Sequence, residues 1–171
     1  GRATSPVMTE IQPYRVVEDG AGYEIRSYPA HFLVSVWVEG DMRDSGNSGF
    51  GQLFGYISGA NQDRQSIPMT APVLQSKQQN GYWLSFVMPE GADFPPLPVS
   101  PDLQIIGVEP VMRAAIKFSG SVSENKFVEQ EKKLRSLVDR KMKDGAIYAR
   151  YDGPMKPGFL RRNEVLVDLG G

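Results

Sequence analysis

The sequence contains no cysteine. That excludes a disulfide, a thiolate nucleophile, an iron–sulfur cluster and a cysteine-based zinc site. A single histidine, His31, rules out metal centres built on two imidazoles and most Ser-His arrangements. Charge of one sign is missing too. With 19 Lys and Arg against 20 Asp and Glu, no net field gathers nucleic acid or an anionic membrane, so a nucleic-acid partner is not expected. No apolar run approaches the roughly 18 residues of a membrane span, which points to a soluble protein. Gly1–Met8 show neither the charged nor the apolar segment of a secretory signal. None of these absences selects between a cytoplasmic and an organellar location or names a protein partner.

What remains is enough for one compact domain: 171 residues, 40% of them hydrophobic. Residues 1–22 read as an N-terminal extension and 23–171 as a single domain. Tyr23 to Tyr28 and His31 to Glu39 are rich in β-branched and aromatic residues and predict two strands kinked at Pro29. In the second strand Phe32, Val34, Val36 and Val38 share one face, which predicts the core side. Phe50, Leu53, Phe54 and Ile57 recur at helical spacing after the polar stretch Asp41 to Ser48, with Asn47 or Ser48 placed as cap. Gly51 and Gly55 weaken that helix. Ile67 to Leu74 and Tyr82 to Met88 predict a hairpin, and the five prolines between Pro89 and Pro101 predict a stiff surface connection.

The second half repeats this outline. Leu103 to Val108 and Met112 to Ser119 are predicted strands broken at Pro110, as the first pair is broken at Pro29, and Gly120 stands where Gly40 stands. A helix follows, with Ser121 and Glu124 as capping box, Phe127, Leu134 and Val138 as apolar stripe and Gly145 as stop. Ile147 to Tyr151 and Glu164 to Leu169 complete the pattern. Each pseudo-repeat, about 23–88 and 103–169, reads β-β-α-β-β. One such half leaves a sheet face wet, whereas two cover each other. The expected fold is therefore α+β, with duplicated β-β-α-β-β halves forming an eight-stranded, mainly antiparallel distorted β-barrel with two flanking helices and a cleft where the halves meet.

Four runs, in order, resemble one family: Tyr23-Glu-Ile-Arg-Ser-Tyr28, Phe54-Gly-Tyr-Ile-Ser-Gly-Ala-Asn61, Ile67-Pro-Met-Thr-Ala-Pro-Val73 and Phe159-Leu-Arg-Arg-Asn-Glu-Val165. Together they are similar to the SOUL family of heme-binding proteins, over about Tyr23 to Leu169. The resemblance implies reversible binding of heme or a related tetrapyrrole in an apolar cleft walled by the first helix, as carrier, buffer or sensor. Phe50, Leu53, Phe54 and Ile57 then form the wall, Met69 a soft contact, and Arg64 and Lys117, with Arg161 and Arg162, the propionate partners. Each also has a plainer reading, as core residue or surface charge. Some members carry a histidine where this chain has Ser27, so that ligand is absent. His31 is the one histidine left as a candidate axial ligand, against an ordinary strand-end histidine. Met88, Tyr148 and Tyr151 offer further ligand types.

Two other classes of function stay open beside a ligand-binding protein. An enzyme on this scaffold would use Glu164 as acid or base with Tyr148 or Trp83, its pKa raised by burial; the structural alternative for Glu164 is an ion pair with Arg161, Arg162 or Arg150. The charged second helix and the Pro-rich connection could instead serve a protein-interaction module.

Overall fold

The computed structural model describes residues 9–91 and 93–170. The reading of Gly1–Met8, and with it the start of the expected extension, lies outside the described residues. β1 (Glu10–Ile11) and β2 (Arg15–Asp19) precede β3 (Glu24–Tyr28) and β4 (His31–Glu39). The alternation in β4 works as predicted: Val34 and Val36 are buried, Phe32 and Val38 pack against the same core, and Leu33 packs into a smaller cluster on the opposite face.

The first helix, α1 (Met42–Ile57), starts earlier than the apolar spacing predicted. Its cap is Asp41, whose Oδ1 accepts from the Asp44 amide at 2.8 Å, and not Asn47 or Ser48. The early turns were hidden because small residues, Ser45, Gly46 and Gly49, make their buried face. Gly49 lies so close to the sheet that a Cβ there would sit 2.7 Å from Leu84 Cγ. Leu53 and Ile57 continue that face into the core, whereas Phe50 and Phe54 fall outside it, 40% and 50% exposed.

Pro72 splits the expected Ile67 to Leu74 strand into β5 (Thr70–Ala71) and β6 (Val73–Gln78), and β6 turns tightly into β7 (Gly81–Val87). The Pro-rich segment is pinned to α1, where the Tyr56 hydroxyl donates to the Pro96 carbonyl at 2.6 Å. β8 (Leu103–Val108), β9 (Val111–Phe118), α2 (Glu124–Leu137), β10 (Ile147–Arg150) and β11 (Asn163–Asp168) follow. Ser123 caps α2 through the Lys126 amide, so the predicted Ser121 box is displaced by two residues. The Tyr82 hydroxyl and the Lys77 ammonium donate to Glu124. The helix ends at Leu137, well before Gly145, with Val138 in extended conformation.

The main sheet has nine strands in the order β2-β3-β9-β11-β10-β6-β7-β4-β8, every neighbouring pair antiparallel. Eight were expected. The ninth is β2, a mostly exposed edge strand with a register shift between Val16 and Glu18, too weakly buried to impose a pattern on its sequence. Its two edges do not pair, so the sheet is a curled half-barrel. β1 pairs in parallel with β5 outside it. Exchanging β3, β4, β6 and β7 for β8, β9, β10 and β11 turns the order of those eight strands into its own reverse, about a point between β6 and β10. α1 packs on β4 and β7, α2 on β9 and β11, and the central pair β6 and β10 lies between the helices. No helix among the described residues is long and apolar enough to cross a membrane.

Candidate functional site

Glu164 and Tyr148 are not brought together. Ala149 pairs with Glu164 and Tyr148 with Val165, so strand alternation puts the two side chains on opposite faces of the sheet. Tyr148 faces α2, its ring stacked on Phe127 at 4.6 Å; burial and then the charge of Glu131 push its hydroxyl up to about 12. Glu164 is fully buried on the other face. Its Oε1 accepts from Arg26 Nη1 at 2.7 Å and from the Tyr151 hydroxyl at 2.8 Å. Its Oε2 accepts from Arg26 Nη2 at 2.8 Å and from Arg162 Nε and Nη2 at 3.0 and 2.8 Å. Burial alone would raise this carboxyl, but the hydrogen bonds and charges of Arg26 and Arg162 outweigh it and hold it below the usual range. The expected upward shift is therefore reversed. With every lone-pair direction engaged and the proton disfavoured, Glu164 is built to stay an ion-pair partner. Tyr14 closes the cluster, its ring under the Arg26 guanidinium and its hydroxyl accepting from Arg162.

The other face offers an open apolar surface. Phe50 and Phe54 run along the outside of α1 with rings nearly parallel, 6.0 Å apart, and Phe50 meets the edge of buried Phe86 at 5.3 Å. Phe86, Val73, Arg150, Asn163 and Phe118 are successive cross-strand neighbours from β7 to β9. This row crosses the gap between the helices, walled by Phe50 on one side and by Phe127, edge-on to Phe118 at 5.2 Å, on the other. The loop joining β10 to β11 leaves at Arg150 and returns at Asn163, its cross-strand partner. It carries three more exposed apolar side chains, Met155, Phe159 and Leu160. Arg161 stiffens that loop by donating to the Lys156 and Pro154 carbonyls at 2.7 and 2.9 Å. Phe50 and Phe54, with these loop residues, are exposed large apolar side chains, the kind of surface on which a ligand or partner can be sought. Of the residues around this surface, the sequence reading named Arg161 and Arg162 but passed over Arg150, except as a possible partner of Glu164, and the apolar side chains of the loop. The alternation Tyr148-Ala149-Arg150, which aims Arg150 with Tyr148 and away from Glu164, was the available signal.

The remaining residues expected at the site are dispersed. Leu53 and Ile57 are sealed in the core and Met69 is packed against it. Arg64 is exposed, in the turn after α1, with a left-handed φ of 50°. Lys117 pairs across the ladder with Glu164 and sits half exposed 3.7 Å from Glu24; it belongs to the rim of the Glu164 cluster, on the face turned away from α1.

His31 lies on that same far face, in step with Leu33 and Ser35 along β4. Phe50, against Phe86, and its neighbour Phe54 are on the opposite face of the sheet. The imidazole has its own surroundings, a cleft of about 490 Å³ lined by Gln12, Pro29, Phe32, Met88 and Val108 among others. His31 Nδ1 is 2.8 Å from the Pro29 carbonyl, which assigns the ring proton to Nδ1. Nε2 is buried with no partner among the described residues, as is the carboxamide of Gln12. Burial outweighs the Pro29 bond and lowers the pKa of the ring, which favours its neutral form.

The model of the SOUL heme-binding protein family matches residues 9–168. Heme-binding protein 1 of Xenopus laevis is 30% identical over 160 residues, 86% of this chain and 84% of that protein. Heme-binding protein 2 of Homo sapiens is 33% identical over 156 residues, 84% and 76% of the two chains. Among solved structures, the EcmrR C-terminal domain covers 92% of this chain and 98% of its own at a TM-score of 0.59 and 10% identity. A hydrolase from Listeria innocua covers 90% and 94% at a TM-score of 0.57, also with 10% identity. At such identities the likeness to these two is one of fold.

Proposed function

This chain belongs to the SOUL heme-binding protein family, and on that premise we propose that it binds heme or a related tetrapyrrole reversibly in the groove between α1 and the β10–β11 loop, as carrier, buffer or sensor. The observation that carries the reading is the outward placement of Phe50 and Phe54 beside the row that crosses β6 and β10. A phenylalanine offers about 200 Å², so covering the exposed parts of these two rings removes roughly 180 Å² from water, worth about 4 to 5 kcal/mol at about 25 cal/mol per Å². A flat macrocycle is the ligand shape that takes up such area without entering the closed core beneath. The mechanism is binding and release, with the apolar wall supplying the affinity and no protein ligand to the iron required.

A second reading is favoured by one observation, the unpartnered Nε2 of neutral His31. In that reading heme lies in the cleft beside Phe32 and Met88 and takes His31 as axial ligand, its Nδ1 proton held by Pro29 as metal-bound histidines usually are. Titration of the purified protein with ferric heme and with metal-free protoporphyrin tests both. Groove binding predicts saturation at one equivalent with either compound. Ligation by His31 predicts a low-spin spectrum with heme and markedly weaker binding of the metal-free ring. No spectral change with either at micromolar protein contradicts both readings.

A further inference from the structure

Arg150 is a half-buried guanidinium with no counter-charge among the described residues. Arg26, Arg113 and Arg162 each face a carboxylate at ion-pair distance, and Arg161 is spent on two loop carbonyls. Arg150 meets no carboxylate among the described residues. Its protein partner is neutral: Nη2 donates to Gln75 Oε1 at 3.1 Å. Gln75 is fixed in turn, since its amide donates to the Met42 carbonyl at 2.8 Å and it is buried beneath α1. Gly46 lets the helix come this near, a Cβ there falling 3.4 Å from Arg150 Nη2. One edge of the guanidinium is thus held in place, and the remaining donors have no protein partner among the described residues and are open to solvent. Burial lowers its basicity without any compensating anion nearby. Taking a cation out of water without an opposite charge is unfavourable, and a planar fork with free, prepositioned donors matches a carboxylate.

We propose that Arg150 is the carboxylate-binding group of the groove, its guanidinium receiving a propionate of the tetrapyrrole that lies between Phe50 and the β10–β11 loop. The position accounts for both ends of the ligand: the macrocycle covers the phenyl rings, and the acidic edge turns down onto the floor at β10. This rests on the groove being the tetrapyrrole site.

The test compares protoporphyrin with its dimethyl ester, which keeps the ring and lacks the charge, on the unaltered protein and on Arg150→Gln and Arg150→Lys, read by quenching of tryptophan fluorescence and by the Soret band. Arg150→Gln is expected to weaken protoporphyrin binding about ten- to hundredfold, the range of a charge-assisted hydrogen-bonded pair, and to leave the ester unchanged. Arg150→Lys restores part of the loss. Because the substitution removes an uncompensated charge, free Arg150→Gln protein should melt no lower than the unaltered protein. Equal binding of protoporphyrin to all three proteins overturns the assignment while leaving the groove intact, and so does an equal loss of acid and ester. Failure of the unaltered protein to bind either compound overturns the groove itself.

Discussion

Arg26 donates to Glu164 twice, at 2.7 and 2.8 Å, across 138 residues of chain, and solvent reaches neither side chain. The pair joins β3 to the far end of the chain and recruits Tyr28, Tyr151 and Arg162. Removing one member of a buried pair strands the other, so Glu164→Gln should destabilise the fold by about 3 to 5 kcal/mol, measured by urea unfolding. Because the folded-state pKa of Glu164 is depressed, its contribution is complete above the unfolded-chain value of about 4.3 and is lost as pH falls below it. Acid unfolding of the unaltered protein should steepen there, and Glu164→Gln should flatten that limb. A variant as stable as the parent would show that the cluster holds nothing together.

The glycines of α1 divide by what stands opposite them. Gly51 and Gly55 face open space, whereas a Cβ on Gly49 would collide with Leu84. Gly51→Ala and Gly55→Ala should each stabilise by about 0.5 to 1 kcal/mol, and Gly49→Ala should destabilise by about 1 to 3 kcal/mol through overpacking. Thermal melts of the three single variants give the signs; a stabilised Gly49→Ala would mean the helix rides higher on the sheet than described.

Neighbouring residues on α1 should separate stability from binding. Leu53 is fully buried, and Leu53→Ala should lose about 2 to 5 kcal/mol. Half-exposed Phe54 should lose about 1 kcal/mol or less as Phe54→Ala, yet weaken heme binding about tenfold through the uncovered apolar area. Paired melts and heme titrations check both numbers. Unfolding of Phe54→Ala comparable to Leu53→Ala would place the ring in the core.

His31→Ala should leave both heme affinity and the Soret band unchanged, since the groove lies on the other side of the sheet. Loss of a low-spin spectrum together with affinity would transfer the site to the cleft beside Gln12.

Much of this arrangement was legible in the residues. Alternation placed Val34 and Val36 in the core, and the two sets of β-β-α-β-β signals correspond to the helices and to eight of the nine strands in the main sheet. The failures have physical causes. Gly46 and Gly49 bury a helix face without apolar side chains, so the first turns of α1 looked like loop. Spacing groups Phe50 with Leu53, but it cannot say how far a sheet reaches around a helix, and here it meets Phe50 through Phe86 and leaves Phe54 half exposed. Burial of Glu164 was anticipated as a reason for a raised pKa; the pairing of a residue near the start of the chain with one near its end reverses it, and no local pattern reports that contact.

The most direct measurement is the map of backbone amide shifts in isotope-labelled protein as metal-free protoporphyrin is added. The account predicts changes concentrated at Phe50, Phe54, Val73, Arg150 and the loop from Met155 to Leu160, saturating together at one equivalent. Changes gathered instead around Gln12, His31, Phe32 and Met88 would contradict it.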